Sequence, residues 1–201
     1  HSEGSVTGLV TNAGGQFPAP LVAISTNGFE KVVQSNLIGG FLVARELFNQ
    51  GMNKSGGSIV NIIADMWGGM PMMGHSGAAR AGMLNFTKTA AVEWASCNVR
   101  VNAVAPGIIA SSGLDTYDAG MKAVLKKAAQ SIPAKRLGTE SEISSAVVWL
   151  LSEGAAFTSG CCMEVDGAGP LGGRMFPLAD HKGWPRYDGF HRAVNPAVLE
   201  D

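Results

Sequence analysis

Charge is scarce in this sequence and nearly balanced: 15% of the residues are charged and the net charge is -1. That removes the electrostatic case for nucleic acid or an anionic membrane surface as a partner. No unbroken apolar segment reaches the roughly 18 residues a membrane helix requires, so no membrane span is expected. Three cysteines, two of them adjacent at Cys161-Cys162, cannot build a disulfide framework. An odd count without a signal peptide points to a reducing, cytoplasmic setting. His75, His181 and His191 stand at no metal-ligand spacing to one another or to the cysteines, and no metal is expected.

Hydrophobic residues make up 46% of the 201, with 27 glycines. This balance suits one well-buried α/β domain over residues 1–201 and excludes a coiled coil or a disordered chain. The organising stretch is 56–107. Residues 58–63 form a short, almost wholly apolar run behind two glycines, as expected of a strand buried on both faces. Ala79, Met83, Phe86, Ala90 and Trp94 then recur at helical spacing. Residues 99–104 are a second β-branched run, broken by Pro106-Gly107. Strand, long helix, strand is one right-handed βαβ unit with a parallel pair. In such sheets ligands sit beyond the carboxyl ends of the strands, which directs attention to Ala64-Asp65-Met66 and Ala105-Pro106-Gly107.

Elsewhere, 6–11 reads as a strand ending in Asn12-Ala13-Gly14-Gly15. A helix is expected over 27–50 with Phe29, Val33, Leu37, Phe41, Ala44 and Phe48 on one face. Gly39-Gly40 in its middle costs about 1 kcal/mol per glycine relative to alanine, a loss that close packing there would offset. A looser region contains a helix over 118–130, followed by Pro133. Thr139 and Glu142 form a capping box opening a helix that carries Ile143, Val147, Leu150 and Leu151. The last strand is 161–165, closed by Asp166-Gly167, and the glycine- and proline-rich remainder with Trp184, Tyr187 and Phe190 has no periodicity.

Asn12-Ala13-Gly14, Asn36, the central βαβ unit, Pro106-Gly107 and Val165-Asp166-Gly167 together resemble the short-chain dehydrogenase/reductase superfamily. HSGAARAG (75–82), KTAAVEWA (88–95), IPAKRLG (132–138) and DHKGWP (180–185) are similar to strings of peroxisomal-type trans-2-enoyl-CoA reductases. The resemblance runs from about residue 8 to about residue 185. It implies a doubly wound, Rossmann-like parallel sheet that lacks the family's first strands and its glycine-rich cofactor turn, so the domain is expected to be N-terminally incomplete. The superfamily's Tyr-xxx-Lys pair is also replaced: Ser76 stands at the tyrosine position, Arg80 at the lysine position and Ile63 at the position of the serine. Arginine cannot act as a proton relay, because its pKa stays above about 12, but it can hold a ribose and supply positive charge.

The candidate site follows from strand ends and from this resemblance. Asn12, Ala13 and Gly14 either contact the adenine-ribose side of a nicotinamide cofactor or simply turn the chain. Asn36, by resemblance, bends its helix and orders water near the site. Pro106, Gly107 and Ile108 would present backbone groups to the nicotinamide amide, or only terminate a strand. Ser76 is a helix cap, a catalytic donor, or both, and Arg80 falls one turn later on the same face. Asp65 closes the central strand either as a proton donor of raised pKa or as a loop cap. His75 is placed on the substrate side, either as a source of the α-carbon proton beside Asp65 or water, or as a structural residue. Met66 and Trp67, with Met70, Met72 and Met73, offer a soft apolar rim suited to an acyl chain.

The expected activity is reduction of an activated C=C bond, with trans-2-enoyl-CoA as substrate and NADP or NAD as cofactor. The catalytic set is Asn36, Asp65, Ser76 and Arg80. The alternatives are a carbonyl reductase of the same superfamily and a catalytically dead paralogue that binds or builds oligomers. An acyl-CoA-type small molecule and a second copy of the chain, as homodimer or homotetramer, are the expected partners.

Overall fold

The computed structural model describes residues 5–111, 114, 119–172 and 179–189. Asp118 and Phe190 lie outside them. In chain order the elements are β1 (Gly8–Thr11), α1 (Thr26–Val33), α2 (Gly39–Leu47), β2 (Gly57–Ile62), α3 (Gly74–Glu93), β3 (Val99–Pro106), β4 (Ile109–Ala110), α4 (Ala119–Ser131), β5 (Gly138–Thr139), α5 (Glu140–Leu151) and β6 (Cys162–Val165). One sheet runs β1-β2-β3-β6, with β1–β2 and β2–β3 parallel, so the chain adopts the expected doubly wound α/β fold. The separate two-residue pair β4–β5 has no counterpart in the sequence pattern. Among the described residues no helix is long and apolar enough to cross a membrane.

The chain divides into two compact units, His1–Ala105 with Val147–Met163 and Pro106–Ala146 with Glu164–Asp201. In the first, Ile59 of β2 and Val99 and Val101 of β3 pack with Ala44, Met52, Ala90 and Ala91 from the helices on one face. Each fully buried Ile or Val contributes roughly 1.5–3 kcal/mol. On the opposite face Ser58 Oγ donates to Leu150 O (3.0 Å), joining β2 to the end of α5. Arg100 donates there as well, to Leu150 O at 2.8 Å and Ser152 O at 3.1 Å, satisfying carbonyls that the end of a helix leaves open.

The helix expected over 27–50 is present but not uniform. Gln34–Ile38 is a π-helical segment between α1 and α2, and Phe48–Met52 is another. The buried line departs from the expected stripe at Val32 and Asn36 and rejoins it at Ala44. Val32, Asn36 and Ala44 are buried, and a side chain at Gly40 would run into Met83 Cε, whereas Phe29 and Phe41 stay 40% and 37% exposed. Gly40, though not Gly39, therefore allows the close packing against α3.

At the ends of β1 and β2 a buried polar chain fixes the register. Thr11 Oγ1 donates to Asn61 Oδ1 (2.7 Å), Asn61 Nδ2 to Thr87 Oγ1 (2.9 Å), and Thr87 Oγ1 to Met83 O (2.9 Å). Every member is satisfied, so the network stiffens the strand ends that carry Asn12–Gly14 and Asp65 without leaving a desolvated group.

In the second unit Ala110, Ala129, Ile132, Ala134 and Leu137 form the core. The capping box is as expected: Thr139 N–H donates to Glu142 Oε2 (2.9 Å) and Glu142 N–H to Thr139 Oγ1 (3.3 Å). The segment 179–189 lies along this box, with Trp184 N–H on Ala134 O (3.1 Å) and Thr139 Oγ1 on Tyr187 O (2.8 Å).

Candidate functional site

Three of the expected residues meet in the first unit. Gly14 follows β1 so closely against the π-helical turn that a Cβ placed on it would collide with Asn36 Oδ1 and lie 3.6 Å from Arg80 Nη2. Asn36 is held by its own amide nitrogen, which donates to Gly15 O (2.7 Å), Val32 O (2.9 Å) and Ser35 Oγ (3.0 Å). Its Oδ1 is buried with no hydrogen-bond partner. Arg80 Nη1 donates to Ile62 O (2.7 Å) at the end of β2, and its Nε is buried and unpartnered. Burial lowers the Arg80 pKa, yet arginine starts so high that the guanidinium stays charged. A cation with unused donors beside a buried unused acceptor is suited to a hydroxyl-bearing ligand, which accepts from one and donates to the other.

The head of α3 forms a second cluster. Ser76 and His75 are fully buried. Ser76 N–H donates to His75 Nδ1 (2.8 Å), so Nδ1 is the acceptor nitrogen, and His75 Nε2 has no partner. Phe17 stands edge-to-face against the His75 ring, centroids 4.6 Å apart. Ser76 Oγ donates to Gln16 Oε1 at 2.5 Å. Ser76 makes no capping bond at this helix start, which has no side-chain cap. Gln16 and Phe17 are absent from the sequence expectation: they lie in a loop sixty residues from α3, with no periodicity to connect them.

Asp65 is half-buried just past β2 and is engaged with other residues. Met66 and Trp67 line an open, mostly apolar groove of about 540 Å³ with Met70 and the small face of α3 at Gly77, Ala78 and Ala81. Ile63, at the position of the superfamily's serine, is core, packed with Met83, Ala103 and Ala105.

Pro106, Gly107 and Ile108 belong to the second unit. Gly107 N–H donates to Val165 O (3.0 Å) and Ile108 O accepts from Gly138 N–H (3.0 Å), so two of the backbone groups expected to face a cofactor are already paired. A Cβ on Gly107 would sit 2.8 Å from Asp166 Cα, which alone requires glycine there. This unit also holds a cavity of about 370 Å³ walled by Arg136, Glu142, Asp166 and Trp184, whose ion pair is complete. Burial pushes the Cys161 thiol up, away from reactivity.

A family model described as enoyl-(acyl carrier protein) reductase matches residues 1–168. The peroxisomal 2,4-dienoyl-CoA reductase [(3E)-enoyl-CoA-producing] of Rattus norvegicus is 39% identical over 82% of this chain and 56% of its own length. Thus the chain spans about half the length of the curated relatives it matches. Among solved structures, the citronellol catabolism dehydrogenase AtuB of Pseudomonas aeruginosa is 58% identical with a TM-score of 0.71, covering 82% of this chain and 62% of that one. A gluconate 5-dehydrogenase from Burkholderia cenocepacia, in complex with NADP and tartrate, is 28% identical with a TM-score of 0.73, covering 84% and 66%. With its parallel sheet, its strand-end site and its match over residues 1–168, the chain belongs to the short-chain dehydrogenase/reductase family of oxidoreductases.

Proposed function

We propose that the protein reduces a carbon–carbon double bond activated by a thioester, with an enoyl-CoA or 2,4-dienoyl-CoA as substrate and NADP, or NAD, as cofactor. The observation that carries this reading is the pair of side chains on α3: buried Ser76 at the tyrosine position and Arg80 at the lysine position. Ketone reduction ends on an alkoxide that must receive a proton from the protein, and neither residue can relay one. Reduction of an enoyl thioester places charge on the thioester oxygen as an enolate, which a hydrogen bond can stabilise. One positioned donor is worth roughly 3 kcal/mol there. Ser76 is that donor in this reading, and Asp65 or water supplies the α-carbon proton. His75, sealed beneath Phe17 with Nδ1 on the Ser76 N–H, supports the helix start.

A bound nicotinamide would supply the hydride. Arg80 and Asn36 fit its ribose, the first donating and the second accepting through its orphaned Oδ1. Asn12, Ala13 and Gly14 lie exposed at the carboxyl end of β1, and Pro106, Gly107 and Ile108 are assigned to the nicotinamide end by resemblance. Met66 and Trp67 form the acyl groove. Residues 1–201 are read as one Rossmann-like domain that assembles as a homodimer or homotetramer, the exposed Phe29, Phe41, Leu42 and Val43 offering an apolar helix surface to a second copy.

The 58% identity to a citronellol catabolism dehydrogenase favours a second reading, oxidation of a terpenoid alcohol. It meets a difficulty at Ser76, which offers no base for an alcohol proton. The test is a substrate panel run on the intact protein: NADPH and NADH consumption with crotonyl-CoA, 2,4-hexadienoyl-CoA and simple ketones, and NAD(P)+ reduction with citronellol. Turnover of the unsaturated thioesters above all else is expected, from a protein that light scattering sizes as a dimer or tetramer. Turnover of ketones or citronellol alone would replace the proposal. An inactive protein that still assembles would mark a dead paralogue.

A further inference from the structure

Ser76 has a single hydroxyl proton, and in this structure that proton is engaged: Oγ donates to Gln16 Oε1 at 2.5 Å. A hydroxyl held in this way cannot polarise a substrate carbonyl. Ser76 is fully buried, and among the described residues Gln16 makes no other hydrogen bond that would hold its amide in one orientation. Rotation about the last torsion of a glutamine is roughly two-fold and soft.

We propose, resting on the reaction assigned above, that Gln16 is a positioning residue that switches Ser76 between two states. In the free protein Gln16 Oε1 accepts the Ser76 proton. When substrate arrives, a half-turn of the amide presents Nε2–H to Ser76 Oγ, and the freed hydroxyl donates to the thioester oxygen. The amide then supports the serine as charge develops, acting through Ser76 and never touching substrate. Phe17, the next residue, holds this loop against His75 and so keeps Gln16 over the head of α3.

The discriminating variant is Gln16→Glu. A carboxylate can only accept, so it pins the Ser76 proton; a protonated carboxyl can donate and releases it. Relative to wild type, kcat with an enoyl- or dienoyl-CoA should fall about 10²-fold at pH 8, the size of one oxyanion donor. KM should barely move. Glutamate ionises near pH 4.3 in the open chain, so the deficit should shrink by roughly 10-fold at pH 5. Gln16→Leu, which neither pins nor supports, should fall between the two at pH 8. A readout independent of turnover is thermal unfolding: the Tm shifts of Gln16→Leu and Ser76→Ala should fail to add, because both remove one bond. Wild-type kinetics in Gln16→Glu, a deficit unchanged by pH, Gln16→Leu slower than Gln16→Glu, or additive Tm shifts would each overturn the switch. Failure of the reaction assignment shows separately, as a wild-type protein that turns over no unsaturated thioester, and it removes the switch with it.

Discussion

Two partly buried arginines in this chain are treated in opposite ways. Arg136, in the second unit, has all five N–H donors on acceptors: Nε on Trp184 O (3.0 Å), Nη1 on Leu137 O (3.0 Å) and Glu142 Oε2 (2.9 Å), Nη2 on Glu142 Oε1 (2.6 Å) and Pro185 O (2.9 Å). Arg80, in the first unit, places one bond on Ile62 O and leaves Nε buried without a partner, beside an Asn36 oxygen in the same condition. A desolvated donor left open costs about 1–3 kcal/mol. A fold that completes one guanidinium and leaves the other open is spending stability at the second. On the function proposed above, the difference separates an arginine that holds structure from one that waits for a ligand.

The largest effect is expected where the bonding is complete. Arg136→Ala strands the Glu142 carboxylate and three carbonyls, with only 14% and 18% of the two side chains exposed. A loss of about 3 kcal/mol is expected, or roughly 6–12 °C in Tm for a chain of this size. The pair also has a pH signature. Burial pushes the Glu142 carboxyl up, but the Arg136 hydrogen bond, the backbone bonds at Thr139 and Tyr187 and the Arg136 charge outweigh it, and the pKa ends below the ordinary value. A carboxyl depressed by folding stabilises fully above its unfolded pKa, about 4.3, and that stability is lost as pH falls through the folded value. Unfolding of wild type against Glu142→Gln should differ most near neutrality and converge below pH 4. A gap that persists in acid would mean the pair does not act through its charge.

Ser76→Ala belongs to the open side. Removing one donor from the developing enolate should lower kcat about 10²-fold with KM little changed. Tm should fall only by the single Ser76–Gln16 hydrogen bond that is lost, about 1 kcal/mol. Unchanged kcat would make Ser76 a structural residue and send the search for the polarising group to Asp65.

The contrast between the arginines also explains what could be read from the sequence. The completed cluster was legible in part, because Thr139 and Glu142 stand at capping-box spacing and the effect is local. The βαβ core was legible because β2 and β3 are near-continuous apolar runs and α3 keeps helical period. What escaped depends on contacts between residues distant in sequence. The π-helical turn at Gln34–Ile38 is a change of winding that α-helical periodicity does not signal. Gln16 meets Ser76 only because β1 and α3 converge, and the strap from Trp184 to Tyr187 reaches Arg136 and Thr139 from nearly fifty residues on. The two-residue strands β4 and β5 are too short to leave a pattern.

The smallest and most direct test falls on Arg80, measured as ligand affinity and stability in one variant. Arg80→Ala removes a single bond to Ile62 O together with the orphaned Nε, so stability should move by no more than about 1 kcal/mol. Calorimetric titration of the intact protein with NADPH should show affinity reduced about 10-fold, with Arg80→Lys close to wild type because it keeps the charge. Unchanged NADPH affinity in Arg80→Ala, accompanied by a fall in Tm as large as that of Arg136→Ala, would show that Arg80 is structural as well, and would contradict the assignment of the open arginine to the cofactor.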